Sequence, residues 1–225
     1  MLFGIFIYPG GEPIDLASFG LLSIAKRIRP EIELCTIAPY GGLTVLNNGL
    51  CVLADYGIAR APGLDILVVT GGPGWIDQSR APETLAFIRR QAAAIPIVPV
   101  STGALIVAAS GILDGKVATT ERDVVPSELL TLARLRGEWA TAYGANLLDT
   151  GTTAGGNASL CVDTMLHLLE RLFGPEIADE TASIIEYWRP RRANRKGFSA
   201  APAFGKKPVI VSLSNVRLPK GDARR

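Results

Sequence analysis

Unbroken apolar runs and amphipathic stretches take turns along this chain. Residues Leu2–Tyr8 form an almost continuous apolar run, the pattern of a strand buried on both faces, and the run stops at Pro9-Gly10-Gly11. After Pro13, the residues Ile14, Leu16, Phe19, Leu21, Leu22, Ile24, Ala25 and Ile28 recur at helical spacing, which predicts a helix ending before Pro30. A second strand is expected over Ile32–Ala38. Asn47-Asn48-Gly49 separates the short runs Leu43–Leu46 and Leu50–Ala54, so a small hairpin with an Asn-Gly turn is expected there. Leu64–Thr70 is again a buried-strand run, leads straight into Gly71-Gly72-Pro73-Gly74, and precedes a helix expected over Ala81–Ala94.

The stretch from Ile95 to Thr120 carries the most local information. Ile95–Val100 reads as a strand, Ser101-Thr102-Gly103-Ala104 as a sharp turn, and Leu105–Leu113 as a helix. Two readings fit Ser101: a helix cap, which serine provides well, or a side chain projected beyond the strand end beside the unpaired N–H groups of a helix start. Further on, Val117–Thr120 and Trp139–Tyr143 read as short strands, Pro126–Leu135 as a helix, and Asn146–Asp149 as a turn or a paired strand. Ala158–Phe173 and Glu176–Tyr187 read as helices. Alternating strands and helices predict an α/β sandwich with a mainly parallel sheet. Ligands bind beyond the carboxyl ends of such strands, which is where Asp15, Gly71 to Gly74 and Ser101-Thr102 are expected to converge.

Composition narrows the class. The 225 residues are 48% hydrophobic and 20% charged, enough for one sizeable core and a small appendage. No apolar run reaches the roughly 18–20 residues of a membrane span, and Met1–Tyr8 lacks the basic start of a signal peptide, so a cytoplasmic protein with no membrane partner is expected. Cys35, Cys51 and Cys161 are odd in number and scattered, which points to buried thiols rather than to a disulfide framework. One histidine, His167, and these thiols supply no metal cluster. The glycine turns form neither a dinucleotide nor a P-loop fingerprint, so no cofactor is expected.

Charge is divided unevenly. Residues 1–187 hold 12 Lys+Arg against 20 Asp+Glu, whereas 188–225 hold 11 against the single Asp222. The expected organisation is an α/β body over 1–187 followed by a basic tail over 188–225. In that tail Arg189–Lys196 reads as a linker and Val209–Leu213 as an edge or partner-bound strand. The tail shows no recognition helix and few aromatics, so nucleic-acid binding is not expected of it.

Taken together, Asp15 after the first strand, Leu64–Gly74 and Ser101-Thr-Gly-Ala with Gly111–Thr120 behind it resemble the DJ-1/PfpI superfamily, related to class I glutamine amidotransferase domains. The resemblance spans about residues 2–187 and implies a flavodoxin-like three-layer α/β sandwich and a homodimer. Two branches are similar. In isonitrile hydratases a Cys-Thr-Gly turn supplies the nucleophile and an Asp after the first strand assists. The other branch is the ligand-sensing domain of AraC-type regulators, many of which have lost the nucleophile. Ile14–Ser18, Ala154–Ala158 with Met165–Leu169, and the Arg189–Lys196 run look more like the second.

Two departures shape the functional expectation. The cysteine position of the family is Ser101 here, and its frequent Thr-Thr-His-Trp reads Thr119-Thr120-Glu121-Arg122. A serine hydroxyl normally needs a histidine base, and His167 lies at helical spacing in an apolar helix. The first expectation is therefore a small-molecule-binding protein, weakly or non-catalytic, with Asp15, Gly71, Gly72, Gly74, Ser101, Thr102 and Gly103 around its ligand. The roughly 38 residues after Trp188 are too few for the two helix-turn-helix units of an AraC-type regulator. The alternative is an isonitrile-hydratase-like enzyme adding water to a carbon–nitrogen multiple bond. Position 101 would be its nucleophile, Asp15 its general acid/base, and the N–H groups of Gly72 and Thr102 would stabilise developing charge.

Overall fold

In the computed structural model the apolar runs become the strands of one parallel sheet. The structure describes residues 1–114 and 161–194, together with the backbone of the short strands Val117–Ala118, Thr141–Ala142, Leu147–Asp149, Thr153–Gly155 and Phe198–Ala200. The sheet contains β1 (Leu2–Phe6), β2 (Glu33–Ala38), β5 (Tyr56–Gly57), β6 (Ile66–Val69) and β7 (Ile97–Pro99), in the order β5-β2-β1-β6-β7. Every neighbouring pair is parallel. All four residues of β6 are buried, as a strand covered on both faces requires.

Side-chain alternation along β1 feeds two separate cores. Phe3, Ile5 and Ile7 pack on one face with Leu21, Leu22 and Ala25 of α1 (Ala17–Ala25), and with Met165, Leu166 and Leu169 of α5 (Cys161–Phe173). Ala178 and Ala182 of α6 (Pro175–Ile184) join that core. Phe6 and Tyr8 face the other way, against Trp75 of α2 (Trp75–Gln78), Phe87 and Ile88 of α3 (Pro82–Ala92), and Leu105 to Ala108 of α4 (Gly103–Ala109). Helices therefore cover both faces, which makes the three layers. Burying each large aliphatic or aromatic side chain in these cores contributes about 2 kcal/mol.

The strand order reverses at β1. From β1 the chain first builds outward through β2 to β5, then returns to lay β6 and β7 on the other side. Connections leaving β1 and β6 diverge to opposite faces, and this opens a crevice at the carboxyl ends of those two strands. The segments after β1, β6 and β7 all end there.

The expected hairpin is present as β3 (Gly42–Val45) and β4 (Cys51–Ala54), antiparallel. Asn48 and Gly49 both have positive φ, +55° and +83°, the conformation that an Asn-Gly hairpin turn calls for. Beyond residue 114, β8 (Val117–Ala118) pairs with β9 (Thr141–Ala142), and β10 (Leu147–Asp149) pairs with β11 (Thr153–Gly155). The helix expected over Pro126–Leu135 and the strand expected over Val209–Leu213 lie outside the described residues.

Two expectations are corrected. Arg189–Lys196 is not an extended linker from its start: Trp188–Asn194 forms α7, and β12 (Phe198–Ala200) pairs with β10. The reason is Arg191, which is buried and bridges Glu170 of α5 and Asp179 of α6 with two nitrogens at 2.9 Å each. Cys35 and Cys161 are buried thiols as expected, but Cys51 is exposed, because it lies on the outer face of β4.

Candidate functional site

Three turns meet in the crevice. Ile7 and Tyr8 follow β1 and lead into Pro9–Glu12 and a 3-10 turn over Pro13–Leu16; Thr70–Gly74 follows β6; Val100–Thr102 follows β7. Backbone bonds zip the first two together: Glu12 N–H donates to Gly71 O at 2.8 Å and Gly74 N–H to Gly10 O at 3.0 Å. Glycine permits the contact. Gly72 has φ +129°, and a Cβ there would run into the backbone of Gly11 and Glu12. A Cβ on Gly71 would come within 2.8 Å of Ser101 Cβ and Thr102 Oγ1, so the β6 turn lies directly against the β7 turn.

Asp15 lies just ahead of α1, and no side-chain hydrogen bond caps that helix. Asp15 is fully buried in the 3-10 turn, and its Oδ2 accepts the Gly71 N–H at 2.6 Å. Ser101 is 3% exposed and has φ +51°, the left-handed region that non-glycine residues avoid. That conformation turns the chain sharply from β7 into α4. Thr102 is buried, and its Oγ1 accepts the Gly72 N–H at 2.8 Å. Gly103 opens α4 against β6, where a Cβ would collide with the Val69 carbonyl. The crevice thus brings together Asp15, Gly71, Gly72, Gly74, Ser101, Thr102 and Gly103.

One backbone group differs from expectation. The Gly72 N–H is engaged by the Thr102 hydroxyl, so it is not poised for developing charge; the Thr102 N–H makes no hydrogen bond among the described residues. A Cβ on Gly71 would approach Thr102 N at 2.7 Å, so the bare glycine is what leaves room beside it.

Two neighbours were not among the sequence candidates. Tyr8 donates its hydroxyl to Thr70 O at 3.0 Å. Burial, then the negative charge of Asp15, pushes its phenol well above the ordinary value, against the lowering influence of the Thr102 hydroxyl; Tyr8 therefore stays protonated. Its signal in the sequence is a polar-tipped aromatic closing an apolar strand immediately before Pro9-Gly10-Gly11. Cys161, at the start of α5, donates its thiol to Ile14 O at 3.7 Å. Burial and then Asp15 push that thiol up to about 12, so it is a protonated, unreactive group and no substitute for a nucleophile at 101. His167 is half-buried in the same helix, six residues and about 9 Å of helical rise beyond Cys161. No group of three or more His, Cys, Asp or Glu that could hold a metal occurs among the described residues. Nor is any described helix long and apolar enough to cross a membrane.

Comparison with known proteins finds the same fold in other chains. No protein-family model matches the chain. It is 28% identical over 189 residues to an isonitrile hydratase of Pseudomonas putida, covering 82% of this chain and 77% of that protein. It is also 28% identical to the HTH-type transcriptional regulator GbdR of Pseudomonas aeruginosa, over 78% of this chain but only 50% of the regulator. Among solved structures, a ThiJ/PfpI family protein from Pseudomonas syringae superimposes with TM-score 0.74 at 22% identity, covering 83% of this chain and 74% of that one. Drosophila melanogaster DJ-1beta superimposes with TM-score 0.70 at 16% identity, covering 82% and 97%. The chain thus has the fold of the ThiJ/PfpI and DJ-1 proteins, and its sequence is similar to an isonitrile hydratase and to HTH-type regulators.

Proposed function

We propose that this is a small-molecule-binding protein of the DJ-1/PfpI type that holds a small polar metabolite at Ser101 without turning it over, in the manner of a sensing domain. The observation that carries the reading is the state of the Ser101 corner. A hydroxyl stands where the family places a thiol, and one oxygen of the neighbouring Asp15 is already committed to Gly71 N–H. An alcohol needs a base to attack, and a carboxylate is poorly matched to it. As a binding group the same corner is well provided: Ser101 offers a donor and an acceptor, and Thr102 offers a backbone N–H. The ligand-binding body is residues 1–187, with the basic 188–225 segment as an appendage that α7 holds to it. A cytoplasmic setting and a homodimer belong to the same proposal.

A second reading is supported by the identity to the isonitrile hydratase. Water would be added across a carbon–nitrogen multiple bond, with position 101 as nucleophile, Asp15 as general acid/base and the Thr102 N–H facing the developing charge. A paired assay of the protein and Ser101→Cys with a small isonitrile separates the two. The binding reading expects a silent parent protein that retains a metabolite in native mass spectrometry; turnover by the parent protein overturns it. Silence in both forms overturns the hydratase reading.

A further inference from the structure

Two consecutive peptide groups at the end of β6 are each held at both ends. In the group between Thr70 and Gly71, the carbonyl accepts the Tyr8 hydroxyl at 3.0 Å and the N–H donates to Asp15 Oδ2 at 2.6 Å. In the next, between Gly71 and Gly72, the carbonyl accepts the Glu12 N–H at 2.8 Å and the N–H donates to Thr102 Oγ1 at 2.8 Å. Tyr8, Glu12 and Asp15 all come from the segment that leaves β1. Thr70 is tied to that strand as well, since its N–H and its Oγ1 both donate to Phe6 O, at 3.3 and 2.8 Å.

Packing alone does not call for a tyrosine at position 8. Its ring is fully buried, 5.8 Å from that of Phe6 between centroids, in the core shared with Trp75 and α4. A phenylalanine would fill that space. A phenol taken out of water costs free energy unless its proton is used, and the Thr70 carbonyl is where this one is used.

The clamped peptide is also the wall of the Ser101 corner. A Cβ on Gly71 would lie 2.8 Å from Ser101 Cβ and 2.7 Å from Thr102 N, and one on Gly103 would lie 2.7 Å from Thr70 O. Whatever fixes Thr70 O therefore fixes the surface on which Ser101, Thr102 and Gly103 rest. The two bonds on the first peptide reinforce each other, because a hydroxyl donated to the carbonyl polarises the group and strengthens its N–H towards the carboxylate. We infer that Tyr8 is a positioning residue of the crevice: its hydroxyl, clamping the Thr70–Gly71 peptide together with Asp15, sets Ser101 and the Thr102 N–H in the arrangement that receives the ligand. The inference rests on the reading of the Ser101 corner as the ligand's seat.

A reporter thiol reads the corner without a ligand. Cys51→Ser removes the exposed thiol, Cys35 and Cys161 are buried, and Ser101→Cys then supplies the one accessible thiol among the described residues. Its alkylation by iodoacetamide is followed against pH, with and without Tyr8→Phe. Only the thiolate reacts, and a thiolate at 101 is favoured by the Thr102 N–H and opposed by the carboxylates of Asp15 and Glu12, while Tyr8 and Cys161 stay protonated. Tyr8→Phe is expected to raise the pH midpoint of alkylation and to slow the reaction at low pH by about 2- to 10-fold, the equivalent of one neutral hydrogen bond. Urea unfolding is measured on the same proteins. A Tyr8→Phe protein that is less stable but keeps the pH midpoint assigns the hydroxyl to the fold alone and overturns the inference, as does one in which neither quantity moves. Should Tyr8→Phe not fold, Thr70→Val removes the Oγ1 tie of the same residue to β1 at nearly constant volume; a midpoint that does not rise in that variant overturns the clamp. No metabolite enters these measurements, so a midpoint that stays put leaves the binding reading standing, and a parent protein that retains no metabolite leaves a midpoint shift standing.

Discussion

The carboxylate of Asp15 accepts the backbone N–H of Gly71 at 2.6 Å, across 56 residues of chain. This bond spans the point where the sheet reverses its order, joining the connection that leaves β1 to the turn that follows β6. With the Gly72 N–H held by Thr102, it fixes both glycines of the turn from two sides. The crevice is therefore a set of mutually bonded turns rather than three independent loops.

Asp15→Ala leaves the Gly71 N–H buried without its acceptor, and the expected loss of stability is about 1–3 kcal/mol. Asp15→Asn keeps an oxygen in place and should lose less. Urea unfolding of both variants is the measurement, and equal losses would show that the negative charge, rather than an acceptor oxygen or the filled volume, is what the site requires of Asp15.

Two glycine substitutions should move stability in opposite directions. Gly103→Ala drives a Cβ into the Val69 carbonyl and is expected to destabilise by about 1–3 kcal/mol. Gly20 lies in α1, and a Cβ added there would meet nothing within 4 Å, so Gly20→Ala should stabilise by about 0.5–1 kcal/mol through helix propensity and a less free unfolded chain. Thermal unfolding of the pair checks the signs, and a Gly103→Ala protein as stable as its parent would contradict the close approach of α4 to β6.

Ser101 holds φ +51°, a conformation that costs an L-residue about 1–2 kcal/mol. Ser101→Gly should therefore gain about 1 kcal/mol of stability while losing affinity for a ligand held by the hydroxyl. Ser101→Val, branched at Cβ, should destabilise. Chemical denaturation reads both, and a Ser101→Gly protein less stable than its parent would mean that the hydroxyl contributes more than the strain costs.

The strands and their convergence were legible because a buried parallel strand needs an apolar run and because turns at its carboxyl end are confined to one edge of the sheet. Leu2–Tyr8, Leu64–Thr70 and Ile95–Val100 needed nothing more. What remained hidden depends on pairings between distant residues. The Gly72 N–H is consumed by a threonine 30 positions away, and Cys161 reaches Ile14 across 147 positions. Arg191 looked like one charge in a solvated run, yet it is buried because Glu170 and Asp179, on two earlier helices, meet it. The four-residue helix Trp75–Gln78 is too short to show a period at all.

Removing that guanidinium tests how firmly α7 is attached. Arg191→Ala deletes both ion pairs and the buried stem, and an expected loss of about 2 kcal/mol lies below the 3–5 kcal/mol of a fully buried pair, because Asp179 is well exposed and rehydrates readily. Arg191→Met, which keeps the stem, should recover part of it. Proteolysis should cut first near Trp188 in the alanine variant; an unchanged digestion pattern would show that α7 is held by something else.

Alkaline pH should unfold the protein through its buried thiols. Burial raises Cys35 from the ordinary 9.0 to about 11, and burial with the charge of Asp15 raises Cys161 to about 12. Below pH 9 both folded and unfolded chains keep these protons, so stability does not change with pH on their account. Above it the unfolded chain ionises first, and stability falls until pH passes the folded values. Each thiol removes at most about 1.4 kcal/mol per pH unit in that window. Tyr8, also raised, adds to the fall above pH 10. Urea unfolding followed from about pH 8 to about pH 10.5 should thus show a steepening loss. Cys161→Ala lowers stability at every pH by leaving a cavity, but it should flatten the slope, since one fewer proton is released on unfolding. The slope rather than the midpoint is the diagnostic quantity, and a Cys161→Ala slope equal to that of the parent would mean that the thiol beside Asp15 ionises as easily in the folded chain as in the unfolded one.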